Sequence, residues 1–252
     1  MLNEDRPLTA RSVLASALLG ESPPELPVGQ LIRLAALFGI NENRARVALS
    51  RMVTNGELST INGSYRLLST SLLQRQTRQQ HSLEGVTAQW DGTWKLALIV
   101  SPPATASERS TRRQLLHRAR LAERRDGVWM RPANLDQPQV DLLRLGESIE
   151  IFTGRPEANP QTLAAELWDL DAWSNRALTL ITRMEDITAA KADDLAPGFV
   201  LSASILRHVQ ADPLLPTDLL PSSWPGIALR GRYDDWNTRY RRLLRPTGAI
   251  AE

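Results

Sequence analysis

The amino-terminal part of the chain alternates apolar positions at helical spacing with turn residues. The i, i+3, i+4 recurrence of apolar residues predicts three helices, at Thr9–Leu19, about Val28–Phe38 and Glu42–Thr54. Gly20 is expected to end the first helix as a left-handed cap. The proline-rich stretch 22–27 cannot be helical and is expected to form a connector. The pattern therefore predicts a small helical unit at this end of the chain.

The third predicted helix has one apolar face and one polar face. Only the tight turn Gly39-Ile40-Asn41 precedes it, and Asn41 is a favoured N-cap residue. Its apolar face, at the helical spacing of a core-facing stripe, consists of Ala45, Ala48, Leu49, Met52 and Val53. Its opposite face presents Asn43, Val47, Ser50 and Thr54, flanked by Arg44, Arg46 and Arg51.

Two short runs of strand-forming residues follow, Leu58–Ile61 and Ser64–Leu67, on either side of Asn62-Gly63. Asn-Gly between such runs is a strong hairpin signal. Helix, helix, tight turn, polar-arginine helix and hairpin is the order of a winged helix-turn-helix, in which the second helix of the turn enters the DNA major groove. Arginine can pair with guanine, and Asn and Ser can hydrogen-bond base edges or phosphates. The predicted DNA-binding residues are Asn43, Arg44, Arg46, Val47, Ser50, Arg51 and, in the hairpin, Arg66.

Strands separated by helices are predicted in the middle of the chain. Apolar runs indicate strands at Trp94–Val100, Gly127–Met130 and Glu147–Thr153. Helical spacing indicates helices at Glu108–Arg125 and Pro160–Asp169. This order of elements is typical of a small α+β sandwich of ferredoxin-like type.

The predicted fold class is α+β with four consecutive parts. From Ala172 onward, three helical stretches are expected, separated by Pro197-Gly198 and by the proline-rich segment 212–226. The parts are an amino-terminal winged helix-turn-helix (1–70), a linker helix (71–89), a central ferredoxin-like α/β domain (90–171) and a mostly helical carboxy-terminal domain (172–252).

Composition is that of an ordinary folded protein. Of the 252 residues, 42% are hydrophobic and 23% are charged, and there is no cysteine, which excludes disulfides and thiolate metal sites. The apolar runs are too short to span a bilayer, and the first residues lack the plan of a signal peptide. We therefore expect a cytoplasmic protein without membrane contact.

Charge is distributed unevenly along the chain. The net charge is only +2, yet Lys95 and Lys191 are the only lysines among the positive residues. Between Ala104 and Arg131 there are eight arginines and three acids, whereas the segment 132–212 is acidic. Separate basic and acidic surfaces permit a nucleic-acid face without requiring one.

Catalytic and metal-binding patterns are absent from the sequence. The three histidines form no His-Glu-x-x-His pattern, and there is no Gly-x-Ser-x-Gly elbow, phosphate-binding glycine loop or dinucleotide fingerprint. We therefore predict no catalytic residue, no metal and no cofactor. Two alternatives stay open: a winged helix fused to a small-molecule or CoA-ester enzyme, and a winged-helix protein-interaction module that does not bind DNA.

Seven tryptophans beside three phenylalanines and three tyrosines form an unusual aromatic set. Buried tryptophans usually fill cores. They can also line a pocket, where aromatic walls and a few arginines would hold an apolar acid or an acyl thioester. The candidate effector-binding residues are Trp90, Trp94, Arg112, Arg113, Trp129 and Arg131. The arginines near Glu108–Arg125 could equally be a solvated helix face.

Motifs along most of the chain resemble the PaaX family of bacterial transcriptional repressors, named for control of phenylacetate degradation. The block Phe38-Gly39-Ile40-Asn41-Glu42 with Ala48-Leu49-Ser50-Arg51-Met52-Val53 looks like the family's DNA-reading unit. Trp90-Asp91-Gly92-Thr93-Trp94 and Gly127-Val128-Trp129-Met130-Arg131-Pro132 resemble its central domain. The carboxy-terminal resemblance lies in Trp168-Asp169-Leu170-Asp171, Asp212-Pro213-Leu214-Leu215-Pro216 and Trp224-Pro225-Gly226.

The resemblance to this family implies a fold, an oligomeric state and two kinds of ligand. It implies a ferredoxin-like central domain similar to a CRISPR-associated nuclease, without that activity. It also implies a homodimeric repressor that binds a palindromic double-stranded operator. An effector releases such repressors from DNA, and for the founding members it is an aryl-acetyl-CoA thioester.

Overall fold

The computed structural model describes residues 9–21, 23–101, 105–135, 142 and 144–244. These residues form two compact units. The first unit draws on 9–83, 177–210 and 227–244, and the second on 84–176 and 211–226. The carboxy-terminal third of the chain therefore supplies residues to both units. The division into four consecutive parts stays a prediction.

The predicted winged helix-turn-helix is present in the first unit. Its elements are α1 (Ala10–Leu19), β1 (Glu25–Pro27), α2 (Val28–Leu37), α3 (Glu42–Thr54), β2 (Leu58–Ile61), β3 (Ser64–Leu67) and α4 (Thr70–Glu84). Thr9 caps α1 by accepting a hydrogen bond from the Ser12 backbone N–H. The left-handed cap predicted at Gly20 is wrong, because Gly20 has a φ of −76° and its N–H bonds back to the last turn of the helix.

A third strand joins the predicted hairpin. β1 pairs antiparallel with β3, so that β3 lies between β1 and β2. The connector predicted for the proline-rich stretch is therefore wrong at Glu25–Pro27. Proline is tolerated there because β1 is an edge strand, where a missing N–H leaves no ladder partner unpaired.

The winged helix-turn-helix has a continuous apolar core. Its most buried members are Val13, Leu14, Leu18, Leu31, Ala35, Ala45, Leu49, Met52, Leu58 and Leu67. The apolar face predicted for α3 is confirmed at Ala45, Leu49 and Met52, and Ala48 is partly buried. Val53, at the edge of that stripe, is 37% exposed.

The second unit is built on a four-stranded antiparallel sheet of order β5-β6-β4-β7. Its elements are β4 (Trp94–Ile99), α5 (Ala106–Arg118), β5 (Ala122–Arg125), β6 (Val128–Pro132), β7 (Ile149–Gly154) and α6 (Pro160–Leu167). The first strand is central and pairs with the third and the last, which is the ferredoxin-like arrangement. The predicted class of the central domain is confirmed.

The helix predicted at Glu108–Arg125 is wrong in its second half. α5 ends at Arg118, and the last four residues of the predicted helix are β5. Arg120 breaks the helix with a φ of 60°, and Gly127, with a φ of 76°, turns the chain from β5 into β6. An Asp-Gly pair is a hairpin signal. Ala119 and Ala122 continue the helical spacing up to that pair, and the helix was therefore predicted to run through β5.

Two apolar clusters occupy the two faces of this sheet. Leu96 lies opposite Met130 in the register of β4 and β6, and Ala97 lies opposite Trp129. Because successive strand residues point to opposite faces, these two pairs belong to different clusters. One cluster contains Trp94, Met130, Leu163, Leu170 and Leu215; the other contains Ala97, Leu116, Trp129 and Ile149.

Three long helices complete the described chain: α7 (Leu170–Asp186), α8 (Leu195–Gln210) and α9 (Gly226–Leu244). The break predicted at Pro197-Gly198 is wrong, because α8 runs through it. Pro197 lies in the first helical turn, where its missing N–H costs no hydrogen bond. A Cβ atom on Gly198 would lie 2.6 Å from a ring atom of Tyr240 in α9, so the glycine marks a close approach of two helices.

Candidate nucleic-acid interface

The exposed side of α3 carries six of the seven predicted DNA-binding residues. All six are solvent-exposed: Asn43, Arg44, Arg46, Val47, Ser50 and Arg51. The helix starts abruptly, because Gly39 takes a φ of 68° and the Asn41 side chain accepts a hydrogen bond of 2.9 Å from the Arg44 backbone N–H. The local sequence thus separates a polar outer face from the apolar core.

Two arginines of α3 have side chains without a partner in the described part of the chain. No hydrogen bond or ion pair among these residues engages the side chains of Arg44 and Arg51. They are seven residues apart, about two helical turns, and so lie on the same side of α3. Free guanidinium groups can bind phosphate oxygens or the guanine edge. These are the two arginines of α3 whose charge no described carboxylate neutralises.

The free arginines line a groove of about 430 Å³ between α3 and the start of α1. We name it the α1–α3 groove; its lining is Thr9, Ala10, Arg11, Asn43, Arg44, Val47, Ala48, Arg51, Met52 and Asn55. Four predicted DNA-binding residues therefore lie together in one depression of the surface.

The other two predicted arginines are engaged in ion pairs. Arg46 binds Glu42 one helical turn away, with a nitrogen–oxygen distance of 2.7 Å. Arg66 lies directly opposite Glu25 in the pairing of β3 with β1, and their ion pair also measures 2.7 Å. Exposed ion pairs contribute at most about 1 kcal/mol, so a phosphate group can replace the carboxylate at modest cost.

The wing, formed by β2, β3 and their turn, has the geometry predicted from Asn62-Gly63. Both turn residues have positive φ, 48° and 78°, as a tight two-residue hairpin requires. Arg66 is the only cation of the two strands and lies beyond the turn, within the sheet.

Sequence reasoning missed other polar residues at this surface. Thr9, Arg11 and Asn55 reach the α1–α3 groove only because α1 packs against α3, and local periodicity gives no sign of that contact. Arg11 is held by the carboxylate of Glu57, at 2.7 Å. Arg33 is exposed on α2, and in this motif that helix crosses the DNA backbone. Its polar position in the helical pattern of α2 was a signal from which a phosphate contact could have been predicted.

The predicted effector-binding residues do not meet in one cavity. Trp94 and Trp129 are buried in the two separate clusters of the sheet, at 2% and 0% exposure. Trp90 contacts Trp94 edge to face, and its indole N–H donates to the Thr93 carbonyl oxygen at 2.7 Å. The assignment of these residues to an effector stays a prediction.

Arg131 is fully buried in the second unit. Its guanidinium donates to the Pro132 carbonyl oxygen at 2.9 Å and to Asn134 Oδ1 at 2.8 Å. It also donates to the carbonyl oxygen of Leu214, a residue whose φ is 49°. Burial lowers the pKa of Arg131 to about 9, so the group still carries its charge at neutral pH. These bonds hold the loop at Leu214 in place.

The two α5 arginines of the predicted effector set have partners in the second unit. Arg112 donates to the Ser101 carbonyl oxygen at 2.6 Å and lines a shallow groove of about 260 Å³. Arg113 pairs with Glu123 at 2.7 Å and lies 5.8 Å from the centre of the Trp129 ring. Burial and the charge of Arg113 lower the pKa of the neighbouring His117.

Two further properties of the described residues bear on function. No helix among them has both the length and the apolar content needed to cross a membrane. Their His, Asp and Glu side chains nowhere gather in a group of three or more that could hold a metal ion.

Three family descriptions match consecutive segments of the chain. The family described as PaaX-like protein matches residues 9–70, the PaaX protein central Cas2-like domain matches 87–165, and the PaaX-like protein C-terminal domain matches 168–246. No curated protein matches the chain.

One solved structure is similar to the chain over most of its length. The chain is 40% identical to the uncharacterized protein Rv0674 from Mycobacterium tuberculosis, with a TM-score of 0.78. The similarity covers 94% of this chain and 98% of that one. Because the three family segments follow one another over nearly the whole length, the chain belongs to the PaaX family.

Proposed function

We propose that this protein is a DNA-binding transcriptional regulator that acts in the cytoplasm as a homodimeric repressor. The observation that carries the proposal is the exposed face of α3, where Arg44 and Arg51 stand free beside Asn43 and Ser50. Membership of a family of transcriptional regulators supports it. We assign the protein no catalytic role.

The proposed repressor is released from its operator by a small-molecule effector. A repressor of a catabolic operon must leave its operator when substrate is present, and the family suggests a small acyl-CoA or aromatic acid as the signal. Family membership is the support for this part, since the predicted effector residues lie apart. Titration of the protein–DNA complex with acyl-CoA esters, with free CoA as the control, tests it: release by the ester alone is the expected result.

The direct test of DNA binding uses Arg51. Wild-type protein should enrich one duplex sequence from a pool of random DNA, and that duplex serves as the operator probe. Arg51→Ala should cost about 1–3 kcal/mol on this probe and relax base preference at one position of each half-site. Binding titrations on the probe and on a scrambled duplex measure both effects, with the melting temperature as a check on folding.

The matched control for Arg51 is Arg109→Ala. Arg109 is an exposed arginine of α5, and no described residue pairs with its side chain. Its loss should leave both affinities unchanged. If Arg51→Ala also bound both duplexes as tightly as wild type, α3 would not be the element that reads DNA.

Arg66 should behave as a phosphate contact. Arg66→Ala should weaken binding to the probe and to scrambled DNA alike, and lower the slope of log K against log salt by about one per subunit. Glu25→Gln should strengthen binding to both duplexes and make the slope steeper, because it frees Arg66 from its carboxylate partner. Titrations at two salt concentrations measure both variants. Equal affinity of Glu25→Gln and wild type for scrambled DNA would contradict a phosphate contact at Arg66.

The protein should be a dimer in solution. Two-fold symmetric half-sites in DNA are matched by two-fold symmetry in the protein. Light scattering coupled to gel filtration measures the mass directly. A monomer at micromolar concentration, with and without the DNA probe, would contradict the homodimer.

A further inference from the structure

One partly buried side chain from the carboxy-terminal part of the chain packs against the core of the winged helix-turn-helix. Among the described residues that pack against this core, Phe199 of α8 is the only one from beyond residue 73. Its ring meets the ring of Phe38 edge to face, with centroids 5.6 Å apart and an angle of 74° between the planes. This arrangement is a favourable one for two aromatic rings.

Phe38 occupies the point where the chain turns from α2 into α3. It follows the last residue of α2, and its backbone N–H donates to the Ala35 carbonyl oxygen at 3.0 Å. Gly39 then takes its positive φ, and Ile40, which is 5% exposed, anchors the turn in the core. Because this short turn leads directly into α3, a shift at Phe38 would act on the start of that helix.

The helix that carries Phe199 is itself held firmly. The Tyr240 hydroxyl of α9 donates to the Leu195 carbonyl oxygen at 2.7 Å, which secures the start of α8. Gly198, directly before Phe199, lets the ring of Tyr240 approach the α8 backbone. Phe199 therefore projects from a point of α8 that has little freedom to move.

We infer that Phe199 is a positioning residue that sets the direction of α3 for reading base sequence. The inference rests on the proposed function. Arginine side chains are long and flexible, so phosphate contacts tolerate a small rotation of α3. Contacts to base edges depend on the orientation of the helix in the groove. Loss of the Phe199 ring should thus reduce sequence discrimination more than overall affinity for DNA.

The test compares four full-length proteins: wild type, Phe199→Ala, Phe199→Leu and Leu178→Ala. The last removes an apolar side chain that is 54% exposed in the same unit. Each is titrated with the duplex enriched by wild type and with its scrambled form, below the melting temperature of every variant. Phe199→Ala should lower the ratio of the two affinities roughly tenfold, the size expected for a mutation outside the interface that alters a coupled site. Phe199→Leu should restore most of that ratio, and Leu178→Ala should leave it unchanged.

The affinity ratio separates positioning from folding. A smaller folded fraction lowers both affinities by the same factor and leaves their ratio at the wild-type value. An unchanged ratio in Phe199→Ala, whether or not both affinities fall, would overturn the positioning role while the proposed function stands. If wild type itself enriched no sequence and bound both duplexes equally, the proposed function would fail, and the role of Phe199 with it.

Discussion

Affinity for the operator probe should fall roughly 10²- to 10⁵-fold when salt rises from about 50 mM to 200 mM, which corresponds to a slope of log K against log salt of about −4 to −8. The reason is counterion release: each arginine that neutralises a phosphate frees condensed cations, and contributes about −0.9 to the slope. Two protomers supply two copies of Arg44 and Arg51, which have no described partner. Two copies of Arg46 and Arg66 add to these only if phosphates displace Glu42 and Glu25.

The slope therefore distinguishes two states of the bound protein. A value at the shallow end of this range is expected if both ion pairs stay closed on the DNA, and a value at the steep end if both open, because each opened pair adds one phosphate contact per subunit. The measurement is a series of fluorescence anisotropy titrations at constant pH, in which sodium chloride is the only variable. A flat response would contradict DNA binding altogether.

Gly198→Ala should lower the free energy of unfolding by about 1–2 kcal/mol. The new methyl group would lie 2.6 Å and 2.9 Å from two ring atoms of Tyr240 and 3.4 Å from Trp236. Tyr240 is 4% exposed and Trp236 is fully buried, so neither ring can swing into solvent. Overpacking of this kind typically costs 1–3 kcal/mol, more than the roughly 1 kcal/mol by which alanine favours a helix over glycine.

The matched control is Gly231→Ala in α9. Its added Cβ meets no atom within 4 Å, so only the helix preference of alanine remains. This variant should raise the free energy of unfolding by about 0.5–1 kcal/mol. Urea unfolding followed by circular dichroism measures both changes. Equal effects at the two glycines would show that α8 and α9 do not pack as closely as the structure indicates.

The winged helix-turn-helix was the most predictable part of the chain. α3 begins and ends at the predicted residues, because the Gly39 turn and the Asn41 cap are local signals that tertiary structure did not override. The Asn62-Gly63 hairpin was equally readable. The Arg66–Glu25 ion pair could not be predicted, because Glu25 lies in β1. The prolines of that segment indicated a connector and not a strand.

The rest of the chain shows why local patterns fail. Helical spacing continued across Arg120, whose left-handed conformation ends the helical segment before β5. Pro197 suggested a break, although the first turn of a helix accommodates proline. Trp129 and Arg131 are both fully buried, which their positions in the sequence did not show, because that burial arises from the three-dimensional packing of the sheet.

The division of the chain into two interleaved units has a consequence for synthesis. The ribosome releases the amino-terminal end first, and domains ordinarily begin to fold in that order. In the first unit, however, Arg241 Nη1 donates to the carbonyl oxygen of Gly20, 221 residues earlier in the chain. Such a contact must wait until the last helix has left the exit tunnel. A nascent chain that has not yet released α9 therefore cannot complete the first unit. This holds even when translation has passed the wing by a hundred residues or more.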